Sequence, residues 1–419
     1  MTLLVDLLST LFERRHRMGA PEPDGRSMQD LTKDLIGATG EVSGQAMAHT
    51  LLDRYGRWTD AEKRAFFHHL AANMDIHPET VRAALDSYVA EPGKASYRRF
   101  LASAEAPRQE LIRRLNQVPG ATRVLVQMRA DLLRLGAGDD ALMALDLDFR
   151  HLFASWFNRG FLVLRSINWQ SPAAVLEKII AYEAVHAIGS WDDLRRRLKP
   201  ADRRCFAFFH PAMPDEPLIF VEVALTQGTP DLIQALLADQ GEALAADKAD
   251  TAVFYSISNC QAGLAGISFG NFLIKQVAAD LSAEVPTLAT FVTLSPLPGF
   301  QNWLAAQDIP HDPDDDHQMR QLAARYLILE KRPDGQPIDP VARFHLGNGA
   351  QICALHAAAD TSDKGLRQSA GVMVNYLYDL TRVAQNHDSF ATARTIAATP
   401  DVHTLAAAAT PKVEKEALH

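Results

Sequence analysis

The sequence predicts an α+β protein, with an all-helical first half followed by a half in which strands and helices alternate. Apolar residues recur at intervals of three and four from the start of the chain to about Phe157, and strand-like runs are scarce there. From Phe161 onward, runs rich in β-branched and aromatic residues are separated by helical stretches and by turns that contain Gly or Pro. A length of 419 residues suits two or three domains, each able to bury its own core. We therefore divide the chain into a helical domain, residues 1–157, and a mixed domain, residues 158–419.

Capping residues mark the helix boundaries of the first half. Thr59 and Glu62 form a capping box, in which each side chain accepts from a backbone N–H group at the start of a helix. Pro78 and Pro107 each open a further helix, at a position where the missing N–H group costs nothing. The helix after Pro78 carries one apolar stripe, made of Val81, Leu85 and Val89.

This half offers no constellation of residues that could carry out catalysis. His68, His69 and His77 are interpreted as surface or capping residues, because no acidic or thiol partner stands at the spacing of metal ligands. We expect the helical domain to serve assembly into a homo-oligomer, a dimer or a tetramer.

The mixed domain opens with a strand, a helix and a two-stranded hairpin. Ser171 and Pro172 are the residue types preferred at the N-cap and the first position of a helix, which we expect to run through Ala184. Thr229 and Pro230 repeat this pattern before a helical excursion to about Lys248. The predicted strands are Phe161–Leu164, Arg203–Phe209 and Leu218–Leu225, of which the last two form the hairpin.

The stretch from Thr251 to Phe300 organises the mixed domain. A buried strand, Ala252–Ser258, is followed by a Gly-rich turn, by a helix from about Phe269 to Val277 and by a second strand, Thr290–Leu294. A glycine-rich turn at a helix N-terminus aims backbone N–H groups at one place, and anions bind there. The second strand ends at Ser295, at the same edge of the sheet as the turn if the two strands are parallel. We therefore expect a phosphate-rich ligand and a hydroxyl group to share a cleft.

The last third of the chain contains one short helix with a histidine. Asp339 and Pro340 begin it, Gly347–Gly349 ends it, and His345 lies on the same face as Val341. From this pattern alone, a histidine satisfied within the core is favoured over a catalytic one. The acidic run 312–316 is interpreted as a solvated loop and not as a metal site, because consecutive acids cannot all face one ion. The alanine-rich end, 391–409, is either a helix or a frayed tail.

Composition limits the possible partners and compartments. A net charge of −9 argues against nucleic-acid binding, and no run of about 18 apolar residues is present that could span a membrane. Cys205, Cys260 and Cys353 stand far apart, so that neither a disulfide framework nor a zinc site is indicated. Residues 1–18 resemble an amphipathic helix more than a targeting peptide, and the last residues carry no peroxisomal signal. We expect a cytoplasmic protein.

Several motifs together resemble one family. The central stretch contains FYSIS, QxGLxG, GxFLIK and LSPLPGF in this order, and it is flanked by EAVHAIGSWDDLRRRL, HPAMPDEPLIFVEVALT and PVARFHLGNGA. In wording and spacing these segments resemble the malonyl-CoA decarboxylases, whose catalytic half has the fold of the GNAT-type N-acetyltransferases. The resemblance covers roughly Leu152 to Tyr378. It implies that malonyl-CoA is the substrate, that no metal or organic cofactor is needed beyond the coenzyme A of the substrate, and that the chain forms an oligomer.

The resemblance also implies a set of site residues. Ser295 of LSPLPGF and His345 of FHLGNGA occupy the positions of the family's catalytic serine and histidine, and Tyr378 occupies that of a functional tyrosine. The coenzyme A loop would comprise Gln261, Ala262, Gly263, Leu264, Ala265 and Gly266. This loop reads Q-x-G-x-x-G where acetyltransferases usually have Q/R-x-x-G-x-G/A, and Ser268 stands where relatives often carry a glutamate. The segment 301–339 is shorter than in relatives.

Three functions are compatible with these residues. A decarboxylase would use Ser295 and His345 as a dyad to stabilise and protonate the enolate that remains when CO₂ leaves, with the thioester carbonyl as the electron sink. An acyl-CoA acyltransferase would need a site for an acceptor amine and a base to deprotonate it. A non-catalytic acyl-CoA-binding regulator would not need both Ser295 and His345. The joint presence of these two residues favours the decarboxylase.

Overall fold

The computed structural model describes residues 25–238, 243–267 and 273–409, and within them the chain forms two compact units. The helical unit comprises the described residues up to Trp156 together with Gln261–Ile267. The sheet unit comprises the described residues of Phe157–Cys260 and those from Leu273 onward. The amphipathic helix predicted at residues 1–18 and the position of Ser268 lie outside the described residues.

The helical unit consists of α-helices joined by short turns. The predicted capping box is confirmed, since Thr59 and Glu62 exchange side-chain and backbone hydrogen bonds at the start of the third helix. Pro78 and Pro107 both open helices, as predicted. The helices are α1 Met28–Gly37, α2 Glu41–Tyr55, α3 Asp60–Asn73, α4 Pro78–Ala90, α5 Lys94–Ala104, α6 Pro107–Leu115, α7 Ala121–Leu135 and α8 Asp140–Trp156.

The hairpin of α4 and α5 differs from the other helices of this unit because none of its apolar side chains is buried. No residue of α4 is buried, and Ser96 is the one buried residue of α5. The stripe predicted on α4 therefore faces solvent, with Leu85 exposed by 42% and Val89 by 69%.

The sheet unit is built on one mixed sheet of eight strands in the order β1-β2-β3-β4-β5-β8-β6, with β7 also paired to β8. β1 to β4 are antiparallel, β4 and β5 are parallel, and the remaining pairs are antiparallel. The strands are β1 Val163–Ile167, β2 Arg203–His210, β3 Met213–Thr226, β4 Thr251–Asn259, β5 Thr290–Thr293, β6 Ser295–Pro296, β7 Gln351–His356 and β8 Met373–Leu377. The predicted hairpin and the predicted pair of parallel strands are confirmed.

Helices cover this sheet and connect its strands. They are α9 Ala173–Tyr182, α10 Trp191–Leu198, α11 Ile233–Leu237, α12 Leu273–Glu284, α13 Phe300–Ala306, α14 Asp316–Ile328, α15 Pro340–Gly347, α16 Asp363–Ser369, α17 Val383–Ala393 and α18 Pro400–Ala408. The crossover between the parallel strands β4 and β5 contains α12, which buries Ile274, Val277 and Leu281 against the core that β4 also enters. A helical domain followed by a domain with this order of strands and helices is the predicted α+β fold, and that prediction is confirmed.

Three predicted boundaries in the sheet unit are wrong. β1 begins at Val163, after a short 3₁₀ helix at Arg159–Phe161. Pro172 is extended and occupies the N-cap of α9, so the helix starts one residue later than predicted and ends at Tyr182. Thr229 and Pro230 do not cap a helix. A turn at Gly228, held by hydrogen bonds to Thr226 and Asp250, takes the chain away before α11 begins.

The segment between Phe300 and Asp339 is more helical than predicted. It contains α13 and α14, and the acidic run leads directly into α14. Asp315 caps that helix by accepting from the N–H groups of His317 and Gln318, while the acids before it are exposed. The alanine-rich end likewise forms helices, α17 and α18. In the parts of the chain described, no helix has the length and apolar character needed to cross a membrane.

Candidate active site

Ser295 and His345 are brought together by the end of a strand and a short helix. Ser295 begins β6, which follows β5 after one residue and pairs with Val374 of β8. His345 lies in α15, whose first turn is capped by the buried carboxylate of Asp339, an acceptor for the N–H group of Ala342. The Ser295 Oγ atom lies 3.2 Å from Nε2 of His345, and both side chains are buried.

The imidazole of His345 is held from both sides by tyrosines. Its Nδ1 atom lies 2.8 Å from the hydroxyl oxygen of Tyr378, and its ring stacks on that of Tyr376 with centroids 4.4 Å apart. Burial lowers the pKa of His345 to about 3, and no charged side chain contributes to this shift. Burial also raises the pKa of Tyr378 well above its ordinary value. Both groups are therefore neutral at physiological pH.

A further hydroxyl group extends this line of hydrogen bonds. The Ser295 hydroxyl donates to Oγ1 of Thr293 over 2.9 Å, and Thr293 is completely buried. The sequence analysis missed Thr293. The signal was the T-x-S spacing, because residues two apart in an extended segment project to the same side.

Ser295 and His345 open onto a cavity of about 260 Å³. The other residues around it are Val185, Phe254, Tyr255, Ile257, Asn259, Pro296, Pro340, Val341 and Phe344. Most of these side chains are apolar, and no Lys or Arg is found among the described residues that line the cavity. The polar groups that face it therefore act in surroundings of low dielectric constant, where hydrogen bonds to a developing charge are strong.

One wall of the cavity is a loop fixed by charged side chains. Val185, the lining residue, belongs to the segment Glu183–Ile188, and the carboxylate of Glu183 accepts from the N–H groups of Val185 and His186. Lys364 donates to the carbonyl oxygens of Ala184 and Val185. These contacts hold the backbone of the wall in place.

Arg197 holds the same loop from a second side. Its guanidinium group donates to the carbonyl oxygen of His186 over 2.7 Å and forms a buried ion pair with Glu222, 2.8 Å away. Sequence reasoning missed the structural role of these charges, because their partners lie on separate elements.

The predicted coenzyme A loop, Gln261–Gly266, belongs to the helical unit. A Cβ atom at Gly263 would lie 1.8 Å from the carbonyl oxygen of Val126, so only glycine permits this close approach to α7. Arg129 fixes the loop by donating to the carbonyl oxygens of Gly263 and Ala265. It is itself paired with Asp146 within the core.

The loop also has a cation beside it. The guanidinium group of the exposed Arg150 lies within 4 Å of the position that a Cβ atom would take at Gly266, where the backbone has a positive φ of 72°. The N–H groups of Leu264 and Ala265 donate within the turn itself. Sequence analysis missed Arg150, which lies more than 100 residues before the loop in the chain.

No metal centre is evident at these sites. Among the described residues, no three His, Cys, Asp or Glu side chains are grouped as an ion would require.

Comparison with known proteins places the chain in a family. The malonyl-CoA decarboxylase N-terminal domain matches residues 75–157, and the malonyl-CoA decarboxylase C-terminal domain matches residues 160–315 and 313–416. The mitochondrial malonyl-CoA decarboxylase of Anser anser anser is 35% identical over an alignment of 349 positions, and the match covers 70% of this chain and 68% of the goose protein. The chain belongs to the malonyl-CoA decarboxylase family. It is therefore an enzyme of the carboxy-lyase class.

Two crystal structures of malonyl-CoA decarboxylases have the same fold. The enzyme from Rhodopseudomonas palustris is 46% identical in sequence and superposes with a TM-score of 0.85. The match covers 90% of this chain and 100% of the other. The enzyme from Agrobacterium vitis is 47% identical and superposes with a TM-score of 0.84. This match covers 90% of this chain and 98% of the other. The resemblance to the malonyl-CoA decarboxylase family that the sequence motifs carried is thereby confirmed.

Proposed function

We propose that this chain decarboxylates malonyl-CoA to acetyl-CoA and CO₂, with Ser295 and His345 acting as one unit. The observation that supports the proposal is the pair itself: a hydroxyl group and an imidazole 3.2 Å apart at the wall of an apolar cavity. Membership of the family supplies the substrate class, because the goose relative and both crystal structures carry the name of this activity.

The reaction needs hydrogen-bond donors and one proton. When the bond between the α-carbon and the carboxylate breaks, its electron pair moves into the thioester and CO₂ leaves. The negative charge then resides on the thioester oxygen and the α-carbon as an enolate. Ser295 is the group that donates to this enolate, and a preorganised donor in an apolar cavity is worth several kcal/mol to such a step. His345 is the acid-base partner of Ser295.

No added cofactor takes part in this scheme. The thioester carbonyl is the electron sink, so that neither a metal ion nor an organic group is required for the charge to delocalise. Covalent acyl-serine chemistry is disfavoured because decarboxylation transfers no acyl group.

We further propose that Gln261–Gly266 contacts the pyrophosphate of coenzyme A, together with Arg150. The exposed guanidinium group beside Gly266 supports this assignment, since arginine pairs with phosphate through two parallel hydrogen bonds. Arg129, by contrast, is buried and already paired with Asp146, and it serves to hold the loop.

The hairpin of α4 and α5 supports the proposal that the chain forms a homo-oligomer, either a dimer or a tetramer. The residues Leu85, Val89, Tyr97 and Leu101 of these helices are exposed by 42, 69, 49 and 49%. α5 carries three cations, Lys94, Arg98 and Arg99, and no acid. α4 and the residue after it carry three acids, Glu79, Asp86 and Glu91, against one cation, Arg82. A two-fold pairing of hairpins would set α4 of one copy against α5 of the other, so that opposite charges meet.

Two glutamates introduced on this surface by substitution test the assembly. Light scattering of the full-length double variant Val89→Glu/Leu101→Glu should give a lower mass than the wild type. Val42→Glu is the control, because Val42 is 72% exposed on α2, away from the hairpin in sequence. An unchanged mass for the double variant would remove this surface from the assembly. We also propose a reducing compartment, the cytoplasm, which the three free cysteines support.

Incubation with malonyl-CoA alone tests the main proposal. We expect acetyl-CoA and CO₂ in equal amounts without an acceptor amine, and the same rate after treatment with EDTA. Product that forms only when an amine is added would identify an acyltransferase, and binding without turnover would identify a regulator. Activity that is lost to EDTA and restored by one metal ion would overturn the cofactor-free scheme.

A further inference from the structure

The backbone ladder beside Ser295 is interrupted at Thr293 and Leu294. Val292 pairs with Leu377 before the interruption and Ser295 pairs with Val374 after it, in the same register of the same strand β8. The chain is therefore neither shifted nor bulged here. Two ladder positions have lost their ordinary pairing while the strands remain aligned.

Side chains supply the hydrogen bonds at this interruption. The Asn375 amide donates to the carbonyl oxygen of Thr293 over 2.7 Å, and the N–H group of Tyr376 donates to Oγ1 of Thr293 over 3.2 Å. On the other side, the N–H group of Leu294 donates to the carbonyl oxygen of Phe254 in β4. Oγ1 of Thr293 is thereby placed as a hydrogen-bond acceptor, completely buried and on the same side as Ser295.

The Thr293 oxygen determines where the proton of Ser295 points. A hydroxyl group has a single proton, and Ser295 donates it to Thr293 over 2.9 Å. The contact of 3.2 Å between Ser295 and His345 must then be donated by the imidazole, from Nε2. Nδ1 is left as an acceptor, and the Tyr378 hydroxyl, 2.8 Å away, donates to it. All donors in this line then point from Tyr378 toward Ser295 and Thr293.

We propose that Thr293 is a positioning residue that, by accepting the Ser295 proton, holds His345 in the tautomer with its proton on Nε2. This inference rests on the proposed decarboxylation, which it deepens. In the opposite tautomer Nε2 would be an acceptor and could not return a proton to Ser295 after Ser295 has given its own proton to the substrate.

The tautomer with its proton on Nε2 fits the protonation step. As the Ser295 proton moves to the α-carbon, the Nε2 proton moves to Oγ of Ser295 and the Tyr378 proton moves to Nδ1. One negative charge thus passes from the enolate to the Tyr378 oxygen, which takes a proton from water after the products leave. The imidazole stays neutral throughout this relay, as its burial favours. The negative charge rests only briefly on Tyr378, because burial raises the pKa of that hydroxyl group and the resulting phenolate readily takes up a proton.

Nitrogen NMR of full-length protein labelled with ¹⁵N-histidine measures the tautomer directly. The signal of His345, identified by its loss in His345→Gln, should show a protonated Nε2 and an unprotonated Nδ1 in the wild type. Thr293→Val keeps the shape of the side chain and removes the acceptor, so the Ser295 proton turns to His345 and the tautomer reverses. Thr293→Ser keeps the hydroxyl group and should retain the wild-type tautomer.

Kinetics provide the second readout. Thr293→Val should lower kcat by about 10- to 100-fold with little change in KM, a smaller loss than the roughly 10⁴-fold cost of a wrong histidine tautomer in a serine protease. Thr293→Ser should stay within about 3-fold of the wild type, on the same principle. In a Ser295→Ala background, Thr293→Val should have no further effect, because Thr293 acts through Ser295.

Several outcomes would overturn the assignment of Thr293. A wild-type His345 with its proton on Nδ1 would do so even if Thr293→Val failed to fold. So would an unchanged tautomer in folded Thr293→Val, or a loss of kcat that Thr293→Ser shares. Near-normal turnover in Ser295→Ala would instead reject the proposed function, and the tautomer measured in the wild type and in Thr293→Val would still decide the positioning role.

Discussion

Two regions of the sheet unit each bury a histidine, and they surround it in opposite ways. His345 contacts the uncharged groups of Ser295, Tyr376 and Tyr378. His186 lies in the cavity wall Glu183–Ile188, where Arg197, Lys364 and Asp360 influence it. Burial is the largest cause of a lowered pKa in both, to about 3 for His345 and to about 4 for His186.

The two histidines differ in whether charged or uncharged groups surround them. In the wall, Arg197 and Lys364 donate to backbone carbonyl oxygens, so that charge is used to fix the chain. At the site, a neutral imidazole between two hydroxyl groups can change the position of a proton without moving a charged group out of water. Burial of similar depth thus accompanies charged contacts that fix the backbone in one region and a line of uncharged hydrogen-bonding groups in the other.

The largest effect on kcat should come from the uncharged groups around His345. Ser295→Ala should lower kcat by about 10²- to 10³-fold, the usual loss when one preorganised donor is removed. His345→Ala should cost about 10²- to 10⁴-fold, as expected of a residue that directs proton transfer. Both variants should stay folded at the assay temperature and bind coenzyme A normally. Near-normal turnover in either one would remove that residue from the mechanism.

Substitutions of the charged residues around the cavity wall Glu183–Ile188 should lower the free energy of unfolding more than they lower kcat. Arg197→Met leaves the carboxylate of Glu222 buried and unpaired, and the free energy of unfolding should fall by about 3 to 5 kcal/mol. Arg195→Met is the matched control on the same helix, because its ion pair with Asp192 is exposed and should be worth less than about 1 kcal/mol. Denaturant titration of both variants measures the difference. Equal losses would show that the buried pair does not stabilise the wall.

The pH dependence of stability reveals the neutral state of His345. An unfolded histidine takes up a proton below about pH 6.5, whereas His345 in the folded chain does so only near 3. Stability is therefore lost as the pH falls through this window, by about 2 kcal/mol between pH 7.5 and 5 from this residue alone. The loss should be smaller by that amount in His345→Asn, measured by urea unfolding at both pH values. Parallel curves for variant and wild type would contradict the lowered pKa.

The smallest effect on kcat should come from the two tyrosines that contact the imidazole, and it should differ between them. Tyr378→Phe removes the hydrogen bond to Nδ1 and also the last proton of the proposed relay. It should lower kcat by at least about 10-fold, the equivalent of one net hydrogen bond. Tyr376→Phe is the control, because the buried Tyr376 hydroxyl has no hydrogen-bond partner among the described residues while its ring stacks on His345. It should change kcat by less than about 2-fold. Equal effects would mean that the hydrogen bond from the Tyr378 hydroxyl to Nδ1 contributes nothing to turnover.

Local signals in the sequence were enough for much of the fold. The capping box at Thr59 and the N-cap at Asp339 are made by residues near in sequence, and both are confirmed. The pairs Ser171–Pro172 and Thr229–Pro230 have the same local chemistry, yet the first cap lies one residue later and the second is absent. At Thr229 a turn fixed by Asp250, 21 residues away in the sequence, prevails over the local preference.

The site could be predicted only in part, for the same reason. The pattern around His345 favoured a core histidine, and the family motifs identified it together with Ser295 and Tyr378 as candidates. Thr293, Asn375 and Arg150 were missed, because each acts through partners on distant elements. The charged contacts that fix the cavity wall Glu183–Ile188 were missed as well, since Glu183, Arg197 and Lys364 come together only in the folded chain.

A double-mutant cycle of Ser295→Ala and His345→Ala tests most directly whether the two residues work as one unit. The measurement is kcat with malonyl-CoA alone for the wild type, both single variants and the double variant. Residues that act together do not add, so we expect the double variant to be little worse than the more damaged single variant, with unchanged affinity for coenzyme A. Losses that multiply in folded protein would mean two independent roles and would contradict the dyad.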